Sequence, residues 1–202
     1  MATRAPLTHD RVIDAAVAVA DAGGLAQVSM RNVGRELGVE AMSLYHHVAD
    51  KSAMLDGMVD WIFRRIELPS PQDGWRHGMI RRAESARTTL AQHPWALGLV
   101  ESRRTPGPAL LRHHDAVLAC LRRNGFSVGL ASHTFSAIDA YVYGFVLTEL
   151  NLPFDNGADA FVDEFTQALP AADYPYLAEL GAMIVRGGYR FGDEFSYGLD
   201  LI

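Results

Sequence analysis

The side chains best suited to chemistry fall in one stretch, Ser29 to Lys51. Ala41, Met42, Ser43, Tyr45, His46 and His47 project from a segment too short to serve as a good core element, and only Leu44 and Val48 point inward. Small groups, hydroxyls and imidazoles are what can lie close to a DNA groove and its phosphates. Ser29, Met30 and Arg31 open the segment before it, and Lys51 opens the one after. The corner between the two segments is Gly38-Val39, which makes the pair a helix-turn-helix.

Catalytic chemistry finds no comparable constellation. There is no Gly-x-Ser-x-Gly elbow, no glycine-rich phosphate loop and no His-Glu-x-x-His pattern, so no residue is assigned as catalytic and the chain is read as not an enzyme. His113-His114-Asp115 is the one tempting cluster. Adjacent helical residues point about 100° apart, so the two histidines are poorly placed to share a metal, and a solvated or half-buried helix face is the expectation. The single cysteine, Cys120, excludes an intramolecular disulfide framework and multi-cysteine zinc sites. With Val117, Leu118 and Leu121 around it, it reads as buried and inert. No metal and no cofactor are expected.

The elements that must position Ser29–Lys51 are helical, because apolar residues recur at three and four and no sustained alternation occurs. Thr8 caps a first helix from His9 to Ala22, stopped by Gly23-Gly24. Ser29 caps a second, ending near Leu37, and a short helix about Ala41 to Val48 follows. Asp50 caps a fourth, whose stripe is Leu55, Met58, Val59, Ile62, Phe63 and Ile66, ended by Pro69 and Pro71. Further helices are expected over Trp75–Gln92, Pro94–Val100, Pro108–Asn124, Ser127–Asn151, Ala158–Leu169 and Tyr174–Val185, with an apolar tail from Arg190 that docks. The fold class is all-α: a helix-turn-helix head over residues 1–52, a connecting helix over 53–68 and a helical bundle over 69–202.

A chain of 202 residues, 49% hydrophobic and 21% charged, buries about 70% of its unfolded surface and needs no staples. No run approaches the roughly 18 apolar residues of a membrane span, and Met1 to Pro6 lacks the apolar core of a signal peptide. The expectation is a cytoplasmic protein without a membrane partner. Net charge is −6, which by itself gives no argument for nucleic acid. Its distribution is uneven. Residues 76–123 carry nine arginines against Glu84, Glu101 and Asp115, while residues 139–200 carry eleven acids against Arg186 and Arg190. These two segments are expected to compensate one another.

Leu37-Gly38-Val39, Ser43-Leu44-Tyr45-His46-His47-Val48 and Lys51, with Asp14-Ala15-Ala16 and Gly23-Gly24 upstream, resemble the tetracycline-repressor (TetR) family of bacterial transcription regulators. The resemblance is strongest over about 60 residues. Asn124-Gly125-Phe126, Ala140–Phe145 and Phe195–Ile202 look like the tetracycline repressor's own branch. The resemblance implies that the helix opening at Ala41 enters the major groove of double-stranded DNA. Ala41, Met42 and Ser43 then face base edges, with Arg31 reaching a base or phosphate; Tyr45, His47 and Lys51 bind phosphate. Ala41 and Met42 suit thymine methyl groups, which leaves Arg31 to read guanine.

The resemblance further implies a homodimer on a palindromic operator, joined through the helices near Ser127–Asn151 and Tyr174–Val185, with Ala140 and Gly144 permitting close approach. It implies a small-molecule effector inside the bundle. The candidate lining is Ile62, Trp75, Met79, Trp95, Leu99, His113, Phe135 and Tyr141, although core packing is the better explanation for each of them. The tetracycline repressor helps hold a magnesium–drug complex with a histidine and a threonine. The matching stretch here, Leu99–Arg104, has neither, so a different and largely apolar effector is expected. The reading is a ligand-responsive repressor. The alternative is a helical binding protein or enzyme whose helix-turn-helix does not serve DNA.

Overall fold

The computed structural model describes residues 6–70, 72, 74–103, 105–152, 169–187 and 189–202. Among these residues the chain is helical and contains no strand, as its periodicity demands. It divides into two compact units, residues 1–143 and 144–202.

In the first unit, α1 (His9–Gly23) begins where the Thr8 side chain accepts from the Arg11 amide at 3.3 Å. Its inward face, Val12, Ile13, Ala16, Val17 and Ala20, is buried. α2 (Met30–Leu37) starts at Ser29, whose hydroxyl accepts from the Asn32 amide at 3.2 Å. It ends at Gly38, in the left-handed region with φ 62°, which is the conformation a glycine adopts without strain. α3 (Ala41–Leu44) is shorter than the helix expected to reach Val48. From Tyr45 the chain continues as a turn, with the Tyr45 amide donating to the Met42 carbonyl at 3.3 Å and the His47 amide to Leu44 at 2.8 Å. The aromatic and imidazole side chains there are weak helix formers, and Asp50 must be extended to cap α4 (Lys51–Phe63) through the Ala53 amide, at 2.8 Å.

α4 closes at Phe63 rather than continuing to Ile66. Arg65 folds back, its guanidinium 3.1 Å from the centre of the Trp61 ring and donating to the Trp61 carbonyl at 3.2 Å. This occupies one carbonyl that a longer helix would have used. α5 (Trp75–Gln92), α6 (Trp95–Ser102), α7 (Pro108–Arg123) and α8 (Val128–Leu150) follow within a residue or two of expectation.

The second unit takes the end of α8, then α9 (Pro175–Gly187) and α10 (Glu194–Leu201). The expected helix Ala158–Leu169 lies outside the described residues, apart from Leu169 itself. The tail docks through Phe191, stacked on Phe145 at 4.6 Å, and through the buried Phe195, edge-on to the same ring at 4.9 Å. Leu201 and Ile202, expected to dock with it, remain exposed.

Candidate functional site

The helix-turn-helix face is built on a tight corner. α1 packs on α2 and on α4, and α2 on α3, with Ile13, Val17, Val33, Leu44, Met54 and Met58 all buried. Gly34 lets α3 seat against α2: a Cβ there would lie 2.9 Å from the Val39 carbonyl oxygen and 3.3 Å from the Ala41 backbone. The Val39 amide then donates to the Gly34 carbonyl at 2.8 Å. Asn32 secures the approach, donating to the Gln27 carbonyl at 2.7 Å.

This scaffold leaves the predicted contact residues accessible. Arg31, Met42, Tyr45, His46 and Lys51 are exposed, Met42 to 73% and Tyr45 to 46%. Ser29, Met30, Ala41, Ser43 and His47 are half-buried, and Ser29 is committed to its cap. A methionine so exposed, next to a tyrosine at almost half exposure, has no folding rationale; Leu44 and Val48 already supply the local core. Lys51 stands at the first position of α4, where the helix dipole adds to its own charge.

α4 is held on several sides. The Trp61 indole donates to Asp14 of α1 at 2.7 Å. Asp56 accepts from Arg103, just past α6, at 2.6 Å, and the same guanidinium reaches the Ser52 hydroxyl at 2.5 Å. Asp60 caps α7, accepting from the Ala109 amide at 2.6 Å and the Leu110 amide at 3.3 Å. Gly107 is needed beside it, since a Cβ there would overlap the Asp60 carboxylate. Asp21 of α1 accepts from the Trp95 indole at 2.6 Å, and His93 Nδ1 lies 2.8 Å from the same oxygen.

A second constellation lies inside the first unit. Arg82 of α5 is only 2% exposed. Its Nε donates to Nε2 of His113 of α7 at 2.9 Å, and its Nη2 pairs with the Asp139 carboxylate of α8. His113 is fully buried. This corrects the expectation of a solvated or half-buried face for His113-His114-Asp115, which holds only for the last two. Burial, with Arg82 and His114 adding to it, pushes the His113 pKa down to about 3. Burial also lowers His114, against the pull of Asp139. It raises Asp139 although Arg82 opposes, and raises the Tyr143 hydroxyl with Asp139 reinforcing.

Aromatic rings frame this cluster. Phe63 of α4 is edge-on to His113 at 5.1 Å, Phe135 is edge-on to His114 at 4.9 Å, and the Arg82 guanidinium lies over Phe135 at 5.5 Å. Arg82 Nη1, His113 Nδ1 and Asp139 Oδ1, the oxygen ion-paired with Arg82 Nη2, are buried without a hydrogen-bond partner among the described residues. Each unpartnered donor costs about 1–3 kcal/mol, a cost that native interiors seldom leave standing.

The sequence candidates for the pocket therefore divide. His113 and Phe135 belong to the cluster. Ile62, Met79 and Leu99 are buried as core. Trp75 packs edge-on to Phe126 at 5.0 Å and borders an open cleft of about 420 Å³ with Arg76, His77 and Ile80. Trp95 serves Asp21 of the head, and Tyr141 is half-buried. Arg82, Phe63, His114 and Asp139 were missed. α5 carried the signal: Met79, Arg82, Ala83, Ala86 and Leu90 form one buried stripe, so the arginine occupies a core position.

Among the described residues, three arginines of residues 76–123 have ion pairs that can be traced. Arg82 pairs with Asp139, but Arg103 turns to Asp56 and Arg81 to Glu67. Cys120 is buried as predicted. Among the described residues no group of three or more His, Cys, Asp or Glu is placed to hold a metal, and no helix is long and apolar enough to cross a membrane.

Comparison with known proteins places both regions in one context. Residues 12–58 match the description "Bacterial regulatory proteins, tetR family", and residues 68–202 match "Tetracyclin repressor-like, C-terminal domain". The chain is 33% identical over 207 residues to the HTH-type transcriptional repressor DrrR1 of Streptomyces coeruleorubidus, covering 97% of this chain and 76% of that protein. It is 34% identical over 179 residues to an HTH-type transcriptional regulator of Saccharopolyspora erythraea, covering 87% and 75%. Among solved structures, ActR of Streptomyces coelicolor in complex with actinorhodin superposes with a TM-score of 0.78 at 28% identity, covering 98% of this chain and 95% of that one.

Proposed function

The chain belongs to the TetR family of bacterial regulatory proteins, and from that premise we propose how it acts as a ligand-responsive DNA-binding repressor. The α2–α3 face reads the operator, and the body takes the effector that releases it. The observation that carries the first half is the exposure of Arg31, Met42, Tyr45, His46 and Lys51 around a corner held rigid by Gly34 and Gly38. Arg31 reads guanine, Ala41, Met42 and Ser43 lie against base edges, and Tyr45, His47 and Lys51 hold phosphates. Residues 1–52 carry five basic side chains against six acidic ones, so each head contributes few phosphate contacts and affinity depends on pairing.

The pairing surface lies in the second unit. Tyr176, Leu180 and Met183 follow at helical spacing along α9 and are 83%, 48% and 51% exposed, with Leu177 beside them. On α8, Gly144 and Leu147 form an exposed stripe of small and aliphatic residues, with open space around Gly144. Such stripes on two helices suit a four-helix interface across a two-fold axis, which would set two heads on a palindrome. Residues 53–68 then act as the connection and 69–202 as the effector and dimer domain, working in the cytoplasm.

Release requires that the effector favour the form that does not fit DNA. α4 is the part able to convey it. Phe63 touches His113 and His114, while Asp56 and Asp60 are tied to the end of α6 and the start of α7. The relative's complex with actinorhodin supports a small-molecule effector in the body. The test is selection of genomic DNA fragments by the purified protein at physiological salt. Enrichment of one palindrome, bound with an affinity in the nanomolar range, is expected. Weak binding without sequence preference would leave the helix-turn-helix without its role.

A further inference from the structure

We propose that Asp21 is a positioning residue for operator recognition. By accepting from the corner between α5 and α6, it fixes the angle of the helix-turn-helix head and so the half-site spacing that the dimer accepts. The proposal rests on the reading of a dimer on a palindrome, and adds a link from body to head that does not run along α4.

α1 presents two carboxylates on one face. Asp14 and Asp21 are seven residues apart, close to two helical turns, which sets them nearly in line and about 10 Å apart along the axis. Asp14 accepts from the Trp61 indole of α4 at 2.7 Å. Asp21 accepts from the Trp95 indole, at the start of α6, at 2.6 Å, and His93 Nδ1 lies 2.8 Å from the same oxygen. A carboxylate oxygen accepts, so the tautomer that bonds carries its hydrogen on Nδ1. One anchor of α1 thus moves with α4 and the other with the corner.

The corner leaves its two donors little freedom. His93 ends α5, its amide donating to the Leu90 carbonyl at 3.2 Å, and its own carbonyl accepts from the Ala96 amide at 2.8 Å as α6 begins. Pro94 between them holds the turn. Trp95 is 9% exposed and the His93 side chain 14%. The Asp21 side chain, by contrast, is 36% exposed. The link can therefore part without stranding a buried charge, as a catch must and a core ion pair cannot.

The spacing of the anchors supplies the leverage. With Asp14 as pivot, a shift of about 1 Å at Asp21 turns α1 by about 5°. α2 packs on α1 and α3 on α2, so the reading face turns with it. Moving a half-site by one base pair asks for about 3.4 Å of travel and about 35° of rotation. Heads held at one angle select one spacing, and loosened heads accept its neighbours.

Two measurements on the full chain test this. In a gel shift, the selected palindrome is offered at its own half-site separation, one base pair shorter and one base pair longer, beside a single half-site. The parent is expected to prefer its own spacing by about tenfold or more, and Asp21→Ala by no more than about threefold, with the half-site bound equally by both. Asp21→Asn keeps an accepting oxygen for both donors and should return to the parent's preference. Alanine is the best helix former, so α1 is retained in the variant, which urea denaturation checks.

The second measurement needs no DNA. A spin label introduced by Glu36→Cys, at an exposed position of α2, reports the distance between the two heads, and the buried Cys120 does not compete for it. The distribution should be narrow in the parent and in Asp21→Asn, and broad in Asp21→Ala. An unchanged spacing preference in Asp21→Ala, or an equally narrow distribution, would overturn the proposal. A loss shared by the half-site and every spacing would do the same, since Asp21 would then support the fold of the head. A parent without any preference for a palindrome overturns the regulator reading instead, while the label distribution still decides whether Asp21 fixes the head.

Discussion

The α2–α3 face and the Arg82–His113–Asp139 cluster are both polar, yet they are assembled in opposite ways. The first is drawn from one continuous stretch of chain, stands in water and rests on an apolar core that its own spacing announces. The second joins side chains 31 and more residues apart in sequence, is shut away from water and carries its polar groups where apolar ones would pack. An exposed polar residue costs folding nothing and is free to be chosen for a partner. A buried one is retained against a desolvation penalty, so its presence calls for an explanation in either structure or ligand.

That contrast predicts where stability and binding separate. Arg82→Leu alone strands the Asp139 carboxylate and is expected to lower stability by about 3–5 kcal/mol, whereas the R82M/D139L pair restores most of it. Urea denaturation reads both, and equal losses would break the contrast. Gly34→Val at the corner pushes Cβ into the Val39 carbonyl. The expected cost is about 1–3 kcal/mol, and operator affinity should fall with it because α3 is displaced. Gly98→Ala, which meets open space, serves as the control in the same urea denaturation.

Arg31→Ala should weaken operator binding by about 1–3 kcal/mol with a thermal midpoint close to the parent's. A large loss of stability would show that the face is structural after all. A further effect is one of pH. His113 has a folded pKa of about 3, below the 6.5 of a free histidine. The unfolded chain therefore binds the extra proton between those values, and stability falls as pH drops through that window. At most this amounts to about 1.4 kcal/mol per pH unit. His113→Gln should flatten that component, while the raised Asp139 contributes with the opposite sign in both proteins.

The same contrast explains what could be read before any coordinates. Thr8, Ser29 and Asp50 as caps, Gly38 as the corner and the exposed residues after Ala41 are local signals, and each is where it was expected. Helix ends are less legible: α4 stops at Phe63 because Arg65 turns back onto Trp61, a contact within the helix end itself that periodicity does not encode. Gly34 gave no hint of its role, since only the approach of Ala41 makes the missing Cβ matter. For the interior, the pocket candidates divide: Ile62, Met79 and Leu99 are core, Trp75 borders the cleft, Trp95 contacts the head, and His113 and Phe135 fall in the cluster. The informative residue was the charged one on an apolar stripe, Arg82, whose partners lie on other helices.

The joint between head and body has an optical consequence. Two of the chain's three tryptophans, Trp61 and Trp95, donate their indole hydrogens to carboxylates of α1, Asp14 and Asp21. An indole's emission responds to the charge and hydration beside its nitrogen, so any event that slides α1 relative to these helices rewrites the protein's intrinsic colour. The third, Trp75, lies against Phe126 and makes an internal standard. With Trp75 retained and each of the others replaced in turn, movement at the two anchor points becomes separately visible in the unlabelled protein.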